Sequence, residues 1–302
     1  AIVSYNTHAF LDHCLESVLA QRPREVIVVD NASTDGSAAM VAARFPGVAL
    51  RANKSNRGFG AAANQAISMC STPYILLLNA DTRLHSGTLE ALATYLDEHP
   101  SAGIVGPRLL NMDGTAQPSY FPYPTPLTVL LDFSRLRDLL RWISDLRGRW
   151  VPGRRGLQPR VVPWVLGAAL GIRKAAFDAA GGFDEGFFMY CEETDLCYRL
   201  ETLGWKTHFT PAARVWHVGG ASTAGCAVEM AVQSLVSRVT FGQRHFSPRW
   251  RSELRLILVA VTLGKLARDK LRLRLGTPSS SRRVRIIEDI DVWRAALRRL
   301  TG

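Results

Sequence analysis

The side chains with the greatest capacity for chemistry lie together in residues 181–199, GGFDEGFFMYCEETDLCYR. Five carboxylates share this segment with large apolar side chains; they belong to Asp184, Glu185, Glu192, Glu193 and Asp195. A carboxylate is costly to bring into apolar surroundings unless a partner or a function keeps it there. The segment therefore predicts a pocket wall with a general base or a cation site. The alternative is the charged start of an ordinary helix that follows an aromatic loop.

A second candidate is Asp30, which ends a strand-like run and begins DNASTDG, residues 30–36. A carboxylate at a strand end can accept hydrogen bonds from a nucleobase or from ribose hydroxyl groups. Turn-forming residues make up the rest of the run, so a plain turn with a cap for the next helix is the alternative.

The run NRGFGAAAN, residues 56–64, has two glycines and three alanines at the start of a predicted helix. Small residues let the backbone approach a ligand closely, and a helix N-terminus favours anionic groups. The spacing matches neither the phosphate-binding P-loop nor the GxGxxG fingerprint. By itself, the run is therefore a weak phosphate signature.

Two further groups could bind a cation. Asn79 and Asp81 follow three leucines in LLLNAD, residues 76–81, and alternate residues of an extended chain point to the same side. Such oxygen ligands suit Mg²⁺ or Mn²⁺ held mainly by the phosphates of a substrate. His217, between a strand-like run and two glycines, could be another metal ligand or a phosphate contact. A polar strand end and a structural histidine are the alternatives.

These residues need elements to position them, and the apolar pattern predicts alternating strands and helices. The predicted strands are residues 1–5, 25–29, 48–51, 74–78 and 104–106. The predicted helices are residues 8–19, 37–44, 60–69 and 86–98, the last with Ser86 as N-cap. This alternation predicts an α/β fold with a mostly parallel, doubly wound sheet, in which ligands bind at the carboxyl ends of the strands.

Residues 118–163 interrupt the alternation. They contain a proline-rich loop, an amphipathic helical stretch at 127–146 and a basic loop at 148–160. This pattern predicts a mobile insertion that closes over a site or docks a partner.

The excess positive charge lies entirely at the C-terminal end. The chain has 302 residues and a net charge of +11, and residues 238–302 contain 16 Lys/Arg against 5 Asp/Glu, which leaves residues 1–237 neutral. This distribution argues against a nucleic-acid groove in the main domain, so we expect no nucleic-acid partner. It favours a basic appendage that touches an anionic surface.

Within this appendage, residues 254–275 interleave apolar and basic side chains at helical spacing. The uninterrupted apolar run is about nine residues, too short to cross a bilayer. The pattern predicts a basic amphipathic helical tail in the interface of an anionic membrane, since basic residues gain energy near anionic lipid. The alternative is a surface helix packed on its own domain.

The number and spacing of the cysteines indicate the redox state of the cellular compartment. Five scattered cysteines without a CxxC pair fit a reducing compartment better than a disulfide scaffold. No signal peptide is recognisable, and the chain begins in a strand-like run without a methionine, which indicates that a few leading residues precede it. We therefore expect a cytoplasmic protein.

In combination, these runs resemble the family 2 glycosyltransferases, which have a GT-A (nucleotide-diphospho-sugar transferase) fold, and within them the bacterial rhamnosyltransferase-like group. The resemblance covers roughly residues 1–223 and rests on the order of VSYN, VVDNASTDG, NRGFGAAAN, LLLNAD, GGFDEGFFMYCEETDLCYR and WHVGG. Each run alone is weak, whereas the ordered set is specific. It implies a GT-A domain over residues 1–237, with the insertion at 118–163, and the helical tail over residues 238–302.

The resemblance implies a donor site around Asp30, which would contact the base of the nucleotide. The other implied nucleotide-sugar-binding residues are Ser4, Tyr5, Asn6, Asn56, Gly58, Asn64, Asn79 and Gly167. Ala168 and Arg173 would line the donor-sugar and acceptor pocket. Asp81 would hold Mg²⁺ or Mn²⁺ on the diphosphate, with His217 binding the metal or the diphosphate. Asn79 replaces an Asp of the family pattern, which leaves fewer anionic ligands.

The resemblance also implies that residues 181–199 are catalytic. Glu192-Glu193 matches an acidic pair that often reads Glu-Asp, so Glu193 would be the general base and Asp195 would support it. Because Glu is one methylene longer than Asp, the choice between Glu192 and Glu193 stays open. If the pair opens the helix whose body is residues 196–203, we expect the helix dipole to keep it ionised.

The implied function is an inverting, metal-dependent glycosyltransferase of cell-envelope glycan synthesis. The expected sugar is L-rhamnose from dTDP-rhamnose, with UDP-sugars as the other donor class, and the expected acceptor is a lipid-linked or polysaccharide glycan. The tail would keep the enzyme peripheral on the inner face of the bacterial membrane.

Two alternatives come from other classes of protein. A sugar-phosphate nucleotidyltransferase would need a glycine-rich basic phosphate loop near the N-terminus, and residues 1–6 lead into none. A non-catalytic carbohydrate-binding scaffold would not need the acidic and metal motifs, which are intact.

Overall fold

The computed structural model describes residues 1–133, 158–220, 227–275 and 280–301. The chain divides into two compact units. The sheet unit comprises Ala1–Tyr123, Gly148–Phe188 and Glu192–Ser222. The helical unit comprises Pro124–Arg147, Met189–Cys191 and Thr223–Gly302.

Strands and helices alternate along the sheet unit. The strands are β1 (Ile2–Ser4), β2 (Ile27–Asp30), β3 (Ala49–Ala52), β4 (Tyr74–Asn79), β5 (Thr82–Leu84), β6 (Ala102–Leu110), β7 (Tyr120–Phe121), β8 (Arg160–Val161), β9 (Trp164–Val165), β10 (Ala169–Arg173) and β11 (Lys206–His217). The helices of both units, in chain order, are α1 (His8–Leu19), α2 (Ser37–Arg44), α3 (Phe59–Ser68), α4 (Thr88–Glu98), α5 (Pro126–Phe133), α6 (Lys174–Ala179), α7 (Glu192–Thr202), α8 (Ala227–His245), α9 (Pro248–Leu275) and α10 (Ser280–Thr301). Of these, α5, α8, α9 and α10 belong to the helical unit.

The main sheet has nine strands within the described ranges. Eight follow the order β3-β2-β1-β4-β10-β6-β11-β5, and β8 pairs with β11. The strands β1 to β4 pair in parallel, as do β6 and β11. By contrast, β10 is antiparallel to both of its neighbours and β5 is antiparallel to β11. The predicted mostly parallel sheet is confirmed, and β5 and β10 add antiparallel pairs that the periodicity did not predict.

Each face of the sheet carries its own core because alternate strand residues point to opposite sides. On β1, Ile2 packs with Leu15 of α1, whereas Val3 packs on the other face with Ile67 of α3. Helices on both faces require the central strands to be apolar along their length. Polar side chains therefore appear where these strands end.

The predicted elements largely agree with the structure, and α1 and α2 have the predicted bounds. The predicted cap at Ser86 is wrong. The helix α4 begins at Thr88, and the residue before it is Gly87, with a φ of 76° and no side-chain cap bond. A left-handed residue at this position suits glycine, which has no Cβ to clash.

The helical unit differs from the predicted tail in its bounds. The helix α9 contains the predicted residues 254–275, but α8 runs through residue 237, so the predicted boundary lies inside a helix. The predicted helix at 127–146 begins within α5. Its part beyond Phe133, and the basic loop up to residue 157, lie outside the described residues, so the mobile insertion stays a prediction.

The helix α9 has two apolar faces. One is buried and packs against α10, where Leu266 meets Ile286 and Ile290. The other carries exposed leucines at Leu256 and Leu263, which are 68% and 47% exposed. In the described part of the chain, no helix combines the length and the hydropathy that a membrane span needs.

Candidate active site

The carboxyl ends of the parallel strands bring polar residues to one edge of the sheet. Ser4 ends β1 beside Asp30 at the end of β2, and β4, on the other side of β1, ends at Asn79. Because β10 is antiparallel, its beginning reaches the same edge, where the Asn79 amide donates to Ala168 O at 3.0 Å. Gly167 therefore lies near the predicted donor residues.

Asp30 has a buried carboxylate with one unused oxygen. The residue is only 2% exposed, and Oδ1 accepts a hydrogen bond from the Ser33 amide at 2.9 Å. Oδ2 is buried and has no hydrogen-bond partner among the described residues. Since buried polar atoms are nearly always paired, this oxygen fits a donor group on a ligand, as contact with a nucleobase requires.

Asn6 joins the loops that follow β1 and β2. Its φ is 51°, and its amide donates to Ser33 Oγ at 2.9 Å. Ser4 Oγ lies 3.1 Å from Thr7 Oγ1, and Tyr5 between them is partly buried. These contacts shape the loop around Asp30. Nucleotide contacts for Ser4, Tyr5 and Asn6 stay predictions.

The run at residues 56–64 holds the aromatic loop of residues 183–188. Asn64 bonds the backbone of Phe183 twice, as Nδ2 donates to its carbonyl at 2.9 Å and Oδ1 accepts from its amide at 2.8 Å. Gly58 has a φ of 83°, and a Cβ there would collide with the carbonyl of Phe188. Asn56 Oδ1 accepts from the Gly58 amide at 2.9 Å. These three residues shape the loop, and their predicted nucleotide contacts stay predictions.

Asn79 and Asp81 do not lie on one extended run, contrary to the prediction. β4 ends at Asn79, and Ala80 and Asp81 form a turn that the bond from Thr82 Oγ1 to Asn79 O closes at 2.7 Å. Because β5 pairs with the end of β11, Asp81 meets His217 instead. His217 Nε2 lies 3.6 Å from Asp81 Oδ1.

Gln117 determines which ring nitrogen of His217 carries the proton. Its amide nitrogen donates to Asn111 Oδ1 and His217 O, and its oxygen lies 2.8 Å from His217 Nδ1. An amide oxygen only accepts, so Nδ1 carries the proton and Nε2 presents its lone pair to Asp81. Burial lowers the pKa of His217, although Asp81 acts against it, which favours the neutral ring.

This arrangement fits a divalent cation. A neutral imidazole and a carboxylate face one another, and the Gln117 amide orients the ring by its hydrogen bond to Nδ1, as is usual for metal-ligating histidines. Among the described residues, no group of three His, Cys, Asp or Glu side chains could hold a metal ion. Asp81 and His217 would therefore need substrate phosphates and water to complete the coordination, as Mg²⁺ sites commonly do.

The first turn of α7 contains both predicted catalytic glutamates. Glu192 and Glu193 are 6% and 8% exposed, and within the described ranges each has an Oε2 atom without a hydrogen-bond partner. Burial raises the pKa of both carboxyls, and the charge of Glu193 raises the pKa of Glu192 further. Desolvation therefore acts against the ionised form of both carboxyls, and the expectation that the helix dipole keeps them ionised stays a prediction.

Gly167 contacts Glu193 directly. The Gly167 amide donates to Glu193 Oε1 at 3.3 Å, and a Cβ on Gly167 would lie 3.3 Å from the same oxygen. The glycine therefore leaves room for the carboxylate and supplies one hydrogen bond. Its predicted contact with the donor sugar stays a prediction.

Asp195 is engaged with Arg199. Arg199 Nε lies 2.7 Å from Asp195 Oδ2, and the same guanidinium donates to the carbonyls of Ala180 and Gly182. The pair holds the chain that enters the aromatic loop, which agrees with a supporting role for Asp195. Sequence reasoning missed Arg199, although its i, i+4 spacing from Asp195 was a usable signal. It also missed Gln117, which no local pattern connects to His217.

Arg173 does not line the predicted pocket. It lies opposite Tyr74, the first residue of β4, and therefore at the edge away from Asn79. Its guanidinium donates to the carbonyls of Leu96 and Ala102. The prediction was wrong because β10 is antiparallel, so its two ends lie at opposite edges of the sheet.

Solved structures define the class of fold. The chain matches GalNAc-T7, solved with UDP, GalNAc and Mn²⁺, with a TM-score of 0.56 and 16% identity over 80% of this chain and 46% of that one. It also matches the mannosyltransferase PcManGT of Pyrobaculum calidifontis, solved with GDP-Man and Mn²⁺. The TM-score is 0.53, with 17% identity over 99% of this chain and 82% of that one. The fold is that of the GT-A glycosyltransferases.

Sequence comparisons define the family. The model of glycosyl transferase family 2 matches residues 1–145. The chain is 32% identical over 304 residues to N-acetylglucosaminyl-diphospho-decaprenol L-rhamnosyltransferase of Mycobacterium tuberculosis (strain ATCC 25618 / H37Rv), with 94% of each covered. It is 29% identical over 144 residues to rhamnosyltransferase WbbL of Escherichia coli (strain K12), over 48% of this chain and 52% of WbbL. The chain belongs to the family 2 glycosyltransferases, which excludes the nucleotidyltransferase and scaffold alternatives.

Proposed function

We propose that the protein is an inverting rhamnosyltransferase that transfers L-rhamnose from dTDP-rhamnose to a lipid-linked N-acetylglucosaminyl-diphosphate acceptor. Similarity along 94% of the mycobacterial L-rhamnosyltransferase supports the sugar and the acceptor. The observation that carries the reaction type is the buried pair Glu192 and Glu193, bonded through Gly167 to the edge where the parallel strands end.

Glu193 is the general base in this proposal. The Gly167 amide stabilises its ionised form, while burial raises its pKa toward the range in which proton transfer is efficient. Burial and the charge of Glu193 both raise the pKa of Glu192, so the protonated form of Glu192 is favoured over that of Glu193 in this proposal. We therefore propose Glu193, and not Glu192, as the residue that takes up the proton.

The reaction is a single displacement. The acceptor hydroxyl gives its proton to Glu193 as its oxygen bonds to the anomeric carbon. The bond from that carbon to the diphosphate oxygen breaks on the opposite face, which inverts the configuration. On the donor side, Asp30 Oδ2 would accept a hydrogen bond from the nucleobase, since no residue in the described part of the chain bonds this buried oxygen.

Asp81 and His217 would hold Mg²⁺ or Mn²⁺ against the diphosphate. When bound, such an ion supplies positive charge that stabilises the departing nucleoside diphosphate. Two solved GT-A structures that contain Mn²⁺ support a divalent ion of this kind.

A donor screen tests the proposal. Purified protein is mixed with a polyprenyl-diphosphate N-acetylglucosamine acceptor and each of dTDP-rhamnose, UDP-sugars and GDP-sugars, and the release of nucleoside diphosphate is measured. We expect turnover with dTDP-rhamnose, and none when the lipid-linked acceptor is replaced by N-acetylglucosamine alone. Turnover with a UDP-sugar and none with dTDP-rhamnose would contradict the donor assignment.

We further propose that α9 brings the enzyme to the inner face of the cell membrane. Leu256 and Leu263 lie one heptad apart on the exposed face, and the exposed Lys270 continues the same spacing. Arg274, also exposed, lies one turn after the exposed Leu271. An apolar stripe that ends in basic groups fits an anionic lipid surface.

Vesicle flotation tests this membrane contact. The double variant Leu256→Asp, Leu263→Asp should float less with vesicles of phosphatidylglycerol and phosphatidylcholine than the parent does. Leu203→Asp, which changes an exposed leucine of the sheet unit, is the matched control and should float like the parent. Equal flotation of all three proteins would count against α9 as the contact.

A further inference from the structure

The strands β5, β6 and β11 of the sheet unit present arginines on one face of the sheet. Their other face carries Leu84, Leu109 and Val215, which are register partners and are buried together. Because alternate strand residues point to opposite sides, the residue that precedes each of these three lies on the opposite face. This face, which we call the arginine face, carries Arg83, Arg108 and Arg214.

Trp216 of β11 lies among these arginines. It is the register partner of Arg83, and the Arg83 guanidinium carbon lies 5.9 Å from the centroid of its ring. His85 packs against the same indole, with ring centroids 5.2 Å apart, and Arg214 Nη2 lies 3.5 Å from His85 Nδ1. On β6, Arg108 is the register partner of Arg214. Basic side chains from two strands therefore border the ring, and a third strand adds another arginine.

The charge of the arginine face is not balanced by any carboxylate that the structure describes. The strands β5, β6 and β11 contain no Asp or Glu. Within the described ranges, none of the three arginines forms an ion pair, whereas the exposed Arg44 and Arg57 of the same unit each do. Arg83 and Arg214 are exposed, and Trp216 is half-buried. Since a guanidinium fork binds phosphate oxygens well, these groups fit an anionic phosphate ligand.

The arginine face begins beside the proposed cation site. Arg83 follows Asp81 by two residues, so their Cα atoms are at most about 7 Å apart. Trp216 directly precedes His217, at which β11 ends. The side chains of Trp216 and His217 point to opposite sides of the strand. Because the strand ends there, a ligand that lies over this edge can contact both.

We propose that the arginine face binds the diphosphate of the lipid-linked acceptor. Arg83 and Arg214 pair with its phosphate oxygens, Arg108 adds positive charge, and Trp216 packs against the apolar face of the acceptor sugar. The inference rests on the proposed function, in which the acceptor hydroxyl meets the donor sugar beside the cation site. The acceptor's own diphosphate must then lie one sugar ring away, and the unpaired arginines beside Asp81 and His217 complement its negative charge.

The double variant Arg83→Gln, Arg214→Gln tests the diphosphate contact. The acceptor is a short-chain polyprenyl-diphosphate N-acetylglucosamine that stays in solution without detergent or vesicles. We expect its KM to rise about tenfold or more, because two charge-assisted contacts are lost, while kcat and the KM for dTDP-rhamnose stay unchanged. Arg51→Gln is the matched control and should keep the parental KM, since Arg51 is an exposed arginine of β3 at the opposite end of the sheet.

Two substitutions of Trp216 test the contact with the acceptor sugar. Trp216→Phe keeps a flat aromatic ring, whereas Trp216→Leu keeps only an apolar side chain. The KM for the same acceptor should rise several-fold in Trp216→Leu and stay near the parental value in Trp216→Phe. Equal KM values in the two variants would overturn the sugar contact.

Further measurements separate the acceptor diphosphate from a lipid surface and from the choice of donor. A parental KM in the double arginine variant would overturn the inference while the proposed function stands, and weaker flotation with phosphatidylglycerol vesicles would then make the arginine face a membrane contact. If the parent transfers no rhamnose, calorimetry with the same acceptor and no donor gives the result. Weaker binding by the double variant than by the parent would support the arginine face and contradict only the donor assignment. Equal binding, including none by either protein, would overturn it.

Discussion

The acidic residues at the strand ends and those at the start of α7 differ in how the protein holds them. Asp30 and Asp81 each have one oxygen bonded to a backbone amide, of Ser33 and Gly219 respectively. Glu192 and Glu193 share an enclosed site in which burial raises both pKa values. A raised pKa suits a carboxylate that must take up a proton, as the proposed base does.

The substitution Glu193→Gln tests whether the enclosed pair contributes to the rate and not to nucleotide binding. We expect kcat to fall by roughly 10³-fold, within the range that general bases contribute, with an unchanged Kd for the nucleotide. Rates come from nucleoside diphosphate release and binding from calorimetry. Activity near the parental level would move the base to another residue.

Asp81→Ala tests the other region. Nucleotide-sugar binding in the presence of Mn²⁺ should weaken about tenfold or more, and the difference between titrations with and without Mn²⁺ should disappear. Asp178→Ala, which removes an exposed carboxylate paired with Lys174, is the control and should bind like the parent. If metal dependence persists in Asp81→Ala, the cation lies elsewhere.

The pH dependence of kcat probes the enclosed region. Because burial raises the pKa of Glu193, we expect the rate to decline on acidification at a pH above the ordinary range of a glutamate. Among the described residues, Glu192 and Cys197 interact with Glu193, and burial raises the pKa of the Cys197 thiol to about 12, which places that thiol outside the range measured. The measurement is kcat from pH 5 to pH 9 at saturating donor. A constant rate down to pH 5 would contradict the raised pKa.

The smallest predicted effect is on how the free energy of unfolding depends on pH. A carboxyl whose pKa is raised on folding contributes its full stability below the pKa of the unfolded chain and loses it as the pH rises through the folded pKa. The glutamine in Glu192→Gln cannot ionise. At pH 8 the variant should therefore have a higher free energy of unfolding than the parent, by about 1.4 kcal/mol for each unit by which folding raises the pKa of Glu192. At pH 4 the substitution should bring no such gain.

Thermal unfolding at both pH values measures this gain. Glu90→Gln, an exposed position on α4, is the control and should show no such change between them. An equal gain at pH 4 and pH 8 would mean that better packing, and not the ionisation of Glu192, causes it.

The sequence by itself predicted the parallel part of the fold and supplied the candidate residues of the proposed site. Short apolar runs that alternate with helical patterns are typical of buried strands, so β1, β2 and β4 could be predicted together with the polar residues at their ends. Asp30, Asp81, Glu192 and Glu193 all come from local patterns of this kind.

The tertiary structure alone decided the pairings. The antiparallel insertion of β10 between β4 and β6 carries Gly167 to Glu193 and Arg173 to the opposite edge. The pairing of β5 with β11 brings His217 to Asp81 across more than a hundred residues. Strand direction and neighbour order depend on the closure of the whole chain, which no local pattern encodes. Desolvation likewise depends on everything packed around Glu192 and Glu193, so their raised pKa values could not be predicted from the sequence.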